Sequence, residues 1–136
     1  MVIRRPVRTV FPFLADAENA RGFRSDIVTV RRTSGTPAGA GARYHQVVKL
    51  AWRRVEILLE NTEYESERKL TFTVHKPTGV TLTTTFNFQP IEREHTRVQV
   101  ATEGDARSLS SGLARLLQKR EVESLHDLKS VLESRP

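Results

Sequence analysis

Few side chains in this 136-residue sequence have the type and spacing to do chemistry, and each points to a different reaction. Residues 35–44 read "GTPAGAGARY", a glycine-rich stretch of the kind that can cradle a phosphate. Such a cradle needs backbone N–H groups at the start of a helix that follows a strand. Here Gly39-Ala40-Gly41 leads into "ARYHQVVKL", which has the alternation of a strand, and neither a third fingerprint glycine nor a Lys-Ser/Thr pair is present. The stretch therefore reads as a turn whose glycines permit positive φ. Four histidines (His45, His75, His95 and His126) are candidates for proton transfer near neutral pH. Tyr44 and Arg120 could together polarise a carbonyl. The chain has no cysteine, which excludes disulfides, thiolate metal sites and cysteine nucleophiles.

The elements that must position these groups follow from periodicity. "PVRTVFPFLADAENARGF" places Val7, Val10, Phe11 and Leu14 at helical spacing, with Pro6 suited to a first turn. Pro12 makes this helix kinked or very short. Asp16 can cap a second short helical piece that Gly22 ends. Six strand-like segments follow, from "DIVTVRR" to "TRVQVATE". Their apolar phase is Tyr44, Gln46, Val48 and Leu50; Val55, Ile57 and Leu59; Leu70, Phe72 and Val74; Val80, Leu82, Thr84, Phe86 and Phe88; and Val98 and Val100. Alternation of this kind marks an antiparallel sheet with one apolar and one wet face. Residues 77–79 and Pro90 through His95 read as hairpin connections.

The last segment, "RSLSSGLARLLQKREVESLHDLKSVLE", carries Leu109, Leu113, Leu116, Leu117, Leu128, Val131 and Leu132 as one helical stripe. Ser108 or Ser110 can serve as its N-cap, and a helix of about 25 residues would reach about 38 Å, enough to cross the sheet. On this plan His45 and His75 point outward, His95 sits in a hairpin loop and His126 lies off the stripe. No strand carries an inward Asp or Glu.

The net charge of +6 raises the question of nucleic acid. The arginines, paired at 4–5, 31–32 and 53–54, are dispersed along the chain and interleaved with acids such as Glu56, Glu60 and Glu63. That pattern reads as a solvated surface with no specific nucleic-acid site. No signal peptide and no apolar run long enough to span a bilayer is evident, which fits a cytoplasmic protein. The length fits one domain, residues 1–136.

With the elements in this order, the opening "RPVRTVFPFLADAENARGF" resembles that of the START-like, or SRPBCC, superfamily, through Pro6, Val10, Phe11, Phe13, Leu14, Asp16, Glu18 and Asn19. "GTPAGAGARYHQVV" is similar to that family's glycine-rich turn and second long strand, and "LHDLKSVLE" to its C-terminal helix end. The branch it most resembles is the polyketide cyclase/dehydrase and lipid-transport group, a resemblance that implies a Bet v 1-like helix-grip fold. Two places depart from the pattern. Phe23 stands where relatives often have Trp, and only Met1 to Arg5 remain for a first strand that normally is longer. A short first strand would leave a sheet edge partly unpaired and invite a homodimer.

The resemblance implies an α+β fold in which a curved antiparallel sheet wraps a long C-terminal helix and encloses a cavity. Cavity-lining candidates are Tyr44, Gln46, Val48, Val55, Ile57, Leu59, Phe72, Val74, Leu82, Thr84, Phe86, Val98 and Val100 from the strands, with Leu113, Leu117 and Arg120 from the helix. Tyr44 and Thr84 are either core residues with satisfied hydroxyls or ligand contacts. Arg120 either snorkels to solvent near Glu121 or Glu123, or anchors a ligand carboxylate or enolate. The first expectation is binding or transport of a hydrophobic or amphipathic small molecule, with no cofactor and no metal. The second is a cyclase or dehydratase acting in the same cavity, for which no catalytic residue is assigned. A protein-interaction role comes third.

Overall fold

The computed structural model describes residues 1–36, 39–50, 53–76, 82–104 and 112–135. Seven strands form one antiparallel sheet: β1 (Val2–Ile3), β2 (Ile27–Ser34), β3 (Arg43–Leu50), β4 (Arg53–Glu65), β5 (Lys69–Lys76), β6 (Leu82–Glu92) and β7 (His95–Gly104). Their spatial order is β1-β7-β6-β5-β4-β3-β2. Register shifts interrupt the pairing within β2, near Leu58 and Asn61 in β4, and near Pro90 in β6. Such irregularities add local twist and bend, so the sheet curves. Among the described residues two α-helices pack on it, α1 (Val7–Ala15) and α2 (Leu113–Glu133), and a 3-10 helix over Ala17–Gly22 follows α1. The helix-grip expectation is met.

Strand parity carries over to burial. Tyr44, Val48, Leu70, Phe86 and Val98 are almost wholly buried, while Arg43, Lys49, Asn87 and Gln99 on the opposite face are exposed. β4 runs five residues beyond the expected end at Glu60, because the shift between Asn61 and Glu63 lets Tyr64 rejoin the inner face. The Pro90-to-His95 connection is shorter than expected. β6 continues through Pro90 to Glu92, and only Arg93 and Glu94 turn. The expected hairpin over 77–79, like Val80, lies outside the described residues.

The described part of the glycine-rich stretch, residues 35–36 and 39–42, turns the chain between β2 and β3, as its spacing predicts. Gly35 has φ +85°, and a Cβ there would lie 2.7 Å from the Ala42 Cα. Asn61 holds the far side of the turn. Its backbone exchanges hydrogen bonds with Ala42 and Gly41, and its Nδ2 donates to the carbonyls of Gly39 and Ala15. The turn is thereby tied to the end of α1.

The long helix corrects two expectations. It begins at Leu113 after Gly112, whose φ is +76°, and its 21 residues span about 32 Å instead of 38. Ser108, Leu109 and Ser110 lie outside the described residues. Leu116, expected on the inner stripe, is 46% exposed. The buried stripe is instead Leu117, Glu121, Ser124, Leu125, Leu128 and Leu132, so Leu116 sits about 80° beyond its nearest edge, at Ser124.

Helix α2 also completes one sheet edge. β1 is only two residues long, but beyond it the Thr102 N–H donates to Gln118 Oε1 at 2.7 Å, and Gln118 Nε2 donates to the Val100 carbonyl at 3.1 Å. One side-chain amide thus stands in for a strand residue where the sequence left an open edge. That occupation removes, at Val100 and Thr102, the reason given above for a homodimer.

The N-terminal segment is clamped to the end of α2 by Glu133. Burial on its own would raise this carboxyl's pKa. Hydrogen bonds from Lys129 Nζ, the Arg4 backbone N–H and the Arg4 guanidinium, with the Lys129 charge, instead hold it at about 2, below the usual 4.5. Lys129 also donates to the Val2 carbonyl, and Arg5 to the carbonyls of Glu133 and Arg135. A depressed carboxyl pKa stabilises the fold above the unfolded value and ceases to do so as pH falls through the folded one. We therefore expect Glu133→Gln to cost on the order of 1 kcal/mol at pH 7, discounted for the exposed Arg4 partner, and to lose that penalty between pH 4.5 and 2. Urea melts of both proteins across that range check it; parallel pH curves would remove Glu133 from the clamp.

Candidate ligand-binding cavity

A hollow lies between the concave face of the sheet and the helical elements. Its volume is about 60 Å³, room for several waters. The strand wall is mostly apolar, with Ile57 and Leu59 from β4, Phe72 and Val74 from β5, and Phe86 from β6. Gln46 from β3 and Thr84 from β6 interrupt it. Leu14, Ala17, Ala20 and Phe23 close the N-terminal side, and Leu117 faces them from α2. The parity of the strands puts these side chains on one surface, and the bend of the sheet turns that surface inward.

Nine of the predicted positions therefore meet at one hollow: Gln46, Ile57, Leu59, Phe72, Val74, Thr84, Phe86, Leu117 and Arg120. Tyr44, Val48, Val55, Leu82, Val98 and Val100 share the inner face without lining the hollow; the sheet is longer than the cavity. Leu113 begins α2, but its side chain lies outside the described residues. Thr84 Oγ1 sits 3.3 Å from Thr102 Oγ1, so its hydroxyl has a local partner. Tyr44 is fully buried in the core and does not join Arg120 at the cavity.

Charged groups cluster at the helical end. Arg24, in the turn after the 3-10 helix, donates to Glu121 Oε2 at 2.6 Å and to Ser124 Oγ at 3.1 Å. The side chains of Arg24 and Glu121 are each only 9% exposed. Arg120 makes a two-pronged pair with Asp26, which precedes β2, and its Nη1 lies 3.3 Å from Glu121 Oε1. Arg24, Arg120, Glu121 and Asp16 all line the cavity, and Asp16 Oδ1 also accepts the Glu18 N–H at the start of the 3-10 helix. Sequence reasoning found Arg120 but missed Arg24 and Glu121. Glu121 stands four residues after Leu117 and seven before Leu128, so stripe arithmetic would have flagged it. Arg24 occupies a turn without periodicity, and nothing local marks it.

A family model described as polyketide cyclase / dehydrase and lipid transport matches residues 1–133. The chain belongs to this family. No curated protein sequence matches it. Among solved structures, the Zhui aromatase/cyclase from a Streptomyces species superposes with a TM-score of 0.82 at 13% identity, over 99% of this chain and 91% of that one. A START superfamily protein from Mycobacterium smegmatis gives 0.79 at 12% identity, over 98% and 94%. A major latex-like protein from Panax ginseng gives 0.74 at 9%, over 96% and 91%. At these identities the likeness is one of fold. Membership in the polyketide cyclase/dehydrase and lipid transport family supports a ligand-binding or cyclase role without choosing between them.

For this family member, the disposition of proton-transfer groups bears on that choice. His45 Nε2 lies 3.4 Å from Glu56, His75 Nε2 lies 2.9 Å from Glu60, and His95 Nδ1 lies 3.4 Å from Glu92. His126 is exposed on α2. None of the four lines the cavity. Among the described residues, no helix is long and apolar enough to cross a membrane.

Proposed function

We propose that this protein binds, and carries, a small hydrophobic or amphipathic molecule in the hollow between the sheet and α2. The observation that supports the reading is the composition of the wall. Five apolar strand side chains face apolar residues of the N-terminal elements and Leu117, with a few polar groups gathered at one end. Ligand pockets have this character, apolar surface for affinity and a few placed polar groups for orientation. Each Å² of apolar surface removed from water contributes about 25 cal/mol before the costs of association. The free space is narrow, so a ligand larger than a few waters is accommodated by movement of the half-buried Phe72 and Val74.

The cyclase or dehydratase reading shares the cavity but is supported less. The two carboxyls that reach the hollow already have partners, Asp16 in its cap and Glu121 between two guanidiniums. The histidines lie outside it.

The test is a titration with the uncharged fluorophore N-phenyl-1-naphthylamine. We expect saturable binding by the native protein. Val74→Trp, at a half-buried cavity position, should weaken it by about tenfold or more while the melting curve is retained. Undiminished binding by a folded Val74→Trp variant would move the site elsewhere.

A further inference from the structure

We infer that the charged end of the cavity selects an uncharged hydrogen-bonding ligand, such as an alcohol, phenol or ketone, over a carboxylate, and that Asp26 and Glu121 set this choice by occupying both arginines. The inference rests on the ligand-binding reading above and specifies the chemistry of its ligand.

Arg120 is the cation that would most naturally receive a ligand acid. Its Nε and Nη2 are instead directed at the two oxygens of Asp26, and its Nη1 at Glu121. Arg24 is committed to Glu121 and Ser124. Two guanidiniums thus stand against three carboxyls, those of Asp16, Asp26 and Glu121, and a ligand acid would bring a fourth. A ligand acid that engaged either arginine would displace Asp26 or Glu121, or would share an unused N–H with its own charge set beside theirs. A displaced Glu121 would lie desolvated beside the hollow without its partner, and a shared arginine would hold two carboxylates in mutual repulsion; both outcomes are costly for a buried charge.

A neutral oxygen requires no displacement. A guanidinium has five N–H donors, more than the bonds named above use on Arg24. A ligand hydroxyl can therefore accept from it while the ion pairs persist. Gln46 and Thr84 on the strand wall add uncharged polar contacts within the same hollow. The pairing of Arg24 with Glu121 is also more buried than that of Arg120 with Asp26, where Asp26 is 26% exposed. Asp26 is accordingly the residue whose neutralisation frees an arginine at least cost to the fold.

The experiment displaces N-phenyl-1-naphthylamine with 1-octanol or with octanoate at pH 8 in low salt. An alcohol leaves water more readily than an anion whatever the protein does, so the deciding quantity is how Asp26→Asn changes the comparison. We expect wild type to favour octanol. In Asp26→Asn, octanoate affinity should rise by about tenfold while octanol changes by less than about threefold. Glu121→Gln serves as the second variant and should shift selectivity the same way. Octanoate binding as well as octanol in wild type, or an unchanged octanoate affinity in the folded variants, overturns the inference and leaves the carrier reading standing. Failure of wild type to bind the fluorophore, octanol or octanoate overturns both.

Discussion

Replacing Phe11 with Ala should remove about 3–5 kcal/mol of stability and lower the melting midpoint by about 10–18 °C. Phe11 is 1% exposed, and its ring meets Tyr64 edge-on at 5.2 Å and Phe88 at 4.9 Å. Edge-to-face pairs add about 0.5–1.5 kcal/mol each beyond the area they bury. The helix that carries Phe11 cannot compensate. It is nine residues long, contains Pro12 and lacks a side-chain N-cap, so it depends on docking. Losing that ring removes the edge-on contacts that dock α1 on β4 and β6, so α1 undocks only as the whole domain unfolds, and Leu14 stays in the cavity wall of the folded fraction. Phe11 does not line the cavity, so the fraction that remains folded should bind the fluorophore with unchanged affinity. Denaturant melts together with titration separate the two effects. A loss below about 1 kcal/mol would mean the neighbours collapse into the space and α1 is held by something else.

The second large effect concerns the buried ion pair. Arg24→Met alone should cost about 3–5 kcal/mol, because Glu121 is then left desolvated with only the 3.3 Å contact to Arg120. Glu121→Leu alone should be similarly costly, since Arg24 loses its carboxylate. The double variant, with both charges replaced by apolar groups of similar reach, should return to within about 1 kcal/mol of wild type. The cycle therefore predicts strong non-additivity. Additive losses would show that solvent reaches these groups and that the pair is not a buried one. Selection among ligands gives a reason for keeping an arrangement that an apolar pair could match in stability.

The strands were legible because each one alternates cleanly, and alternation directly encodes which face is buried. Tyr44, Val48, Phe86 and Val98 were placed this way and are among the most buried residues. The extra length of β4 was not legible, since Asn61 and the bulge that follows break the phase. Helix α2 was legible as an element but less so in rotation. Seven apolar positions fit more than one stripe, and the tertiary contacts that bury Glu121 and Ser124 decide between them. The cavity's apolar wall was visible in parity, yet its charged end depends on Arg24 and Asp26. Both lie in a turn whose approach to α2, about a hundred residues later in the chain, leaves no local trace. Sequence spacing also presented Arg120 as an available cation, whereas its charge is already matched by a neighbour that only the fold supplies.

Gln118 makes the lid of the hollow and the terminator of the pleated ladder the same object. Were α2 to swing outward far enough to admit a bulky cargo, the swing would strip its amide from Val100 and Thr102 and unmask a length of bare strand. Uptake and self-association would then be two readouts of one movement. Cargo that props the lid ajar should make the protein sticky, and cargo that lets it shut should keep it monodisperse.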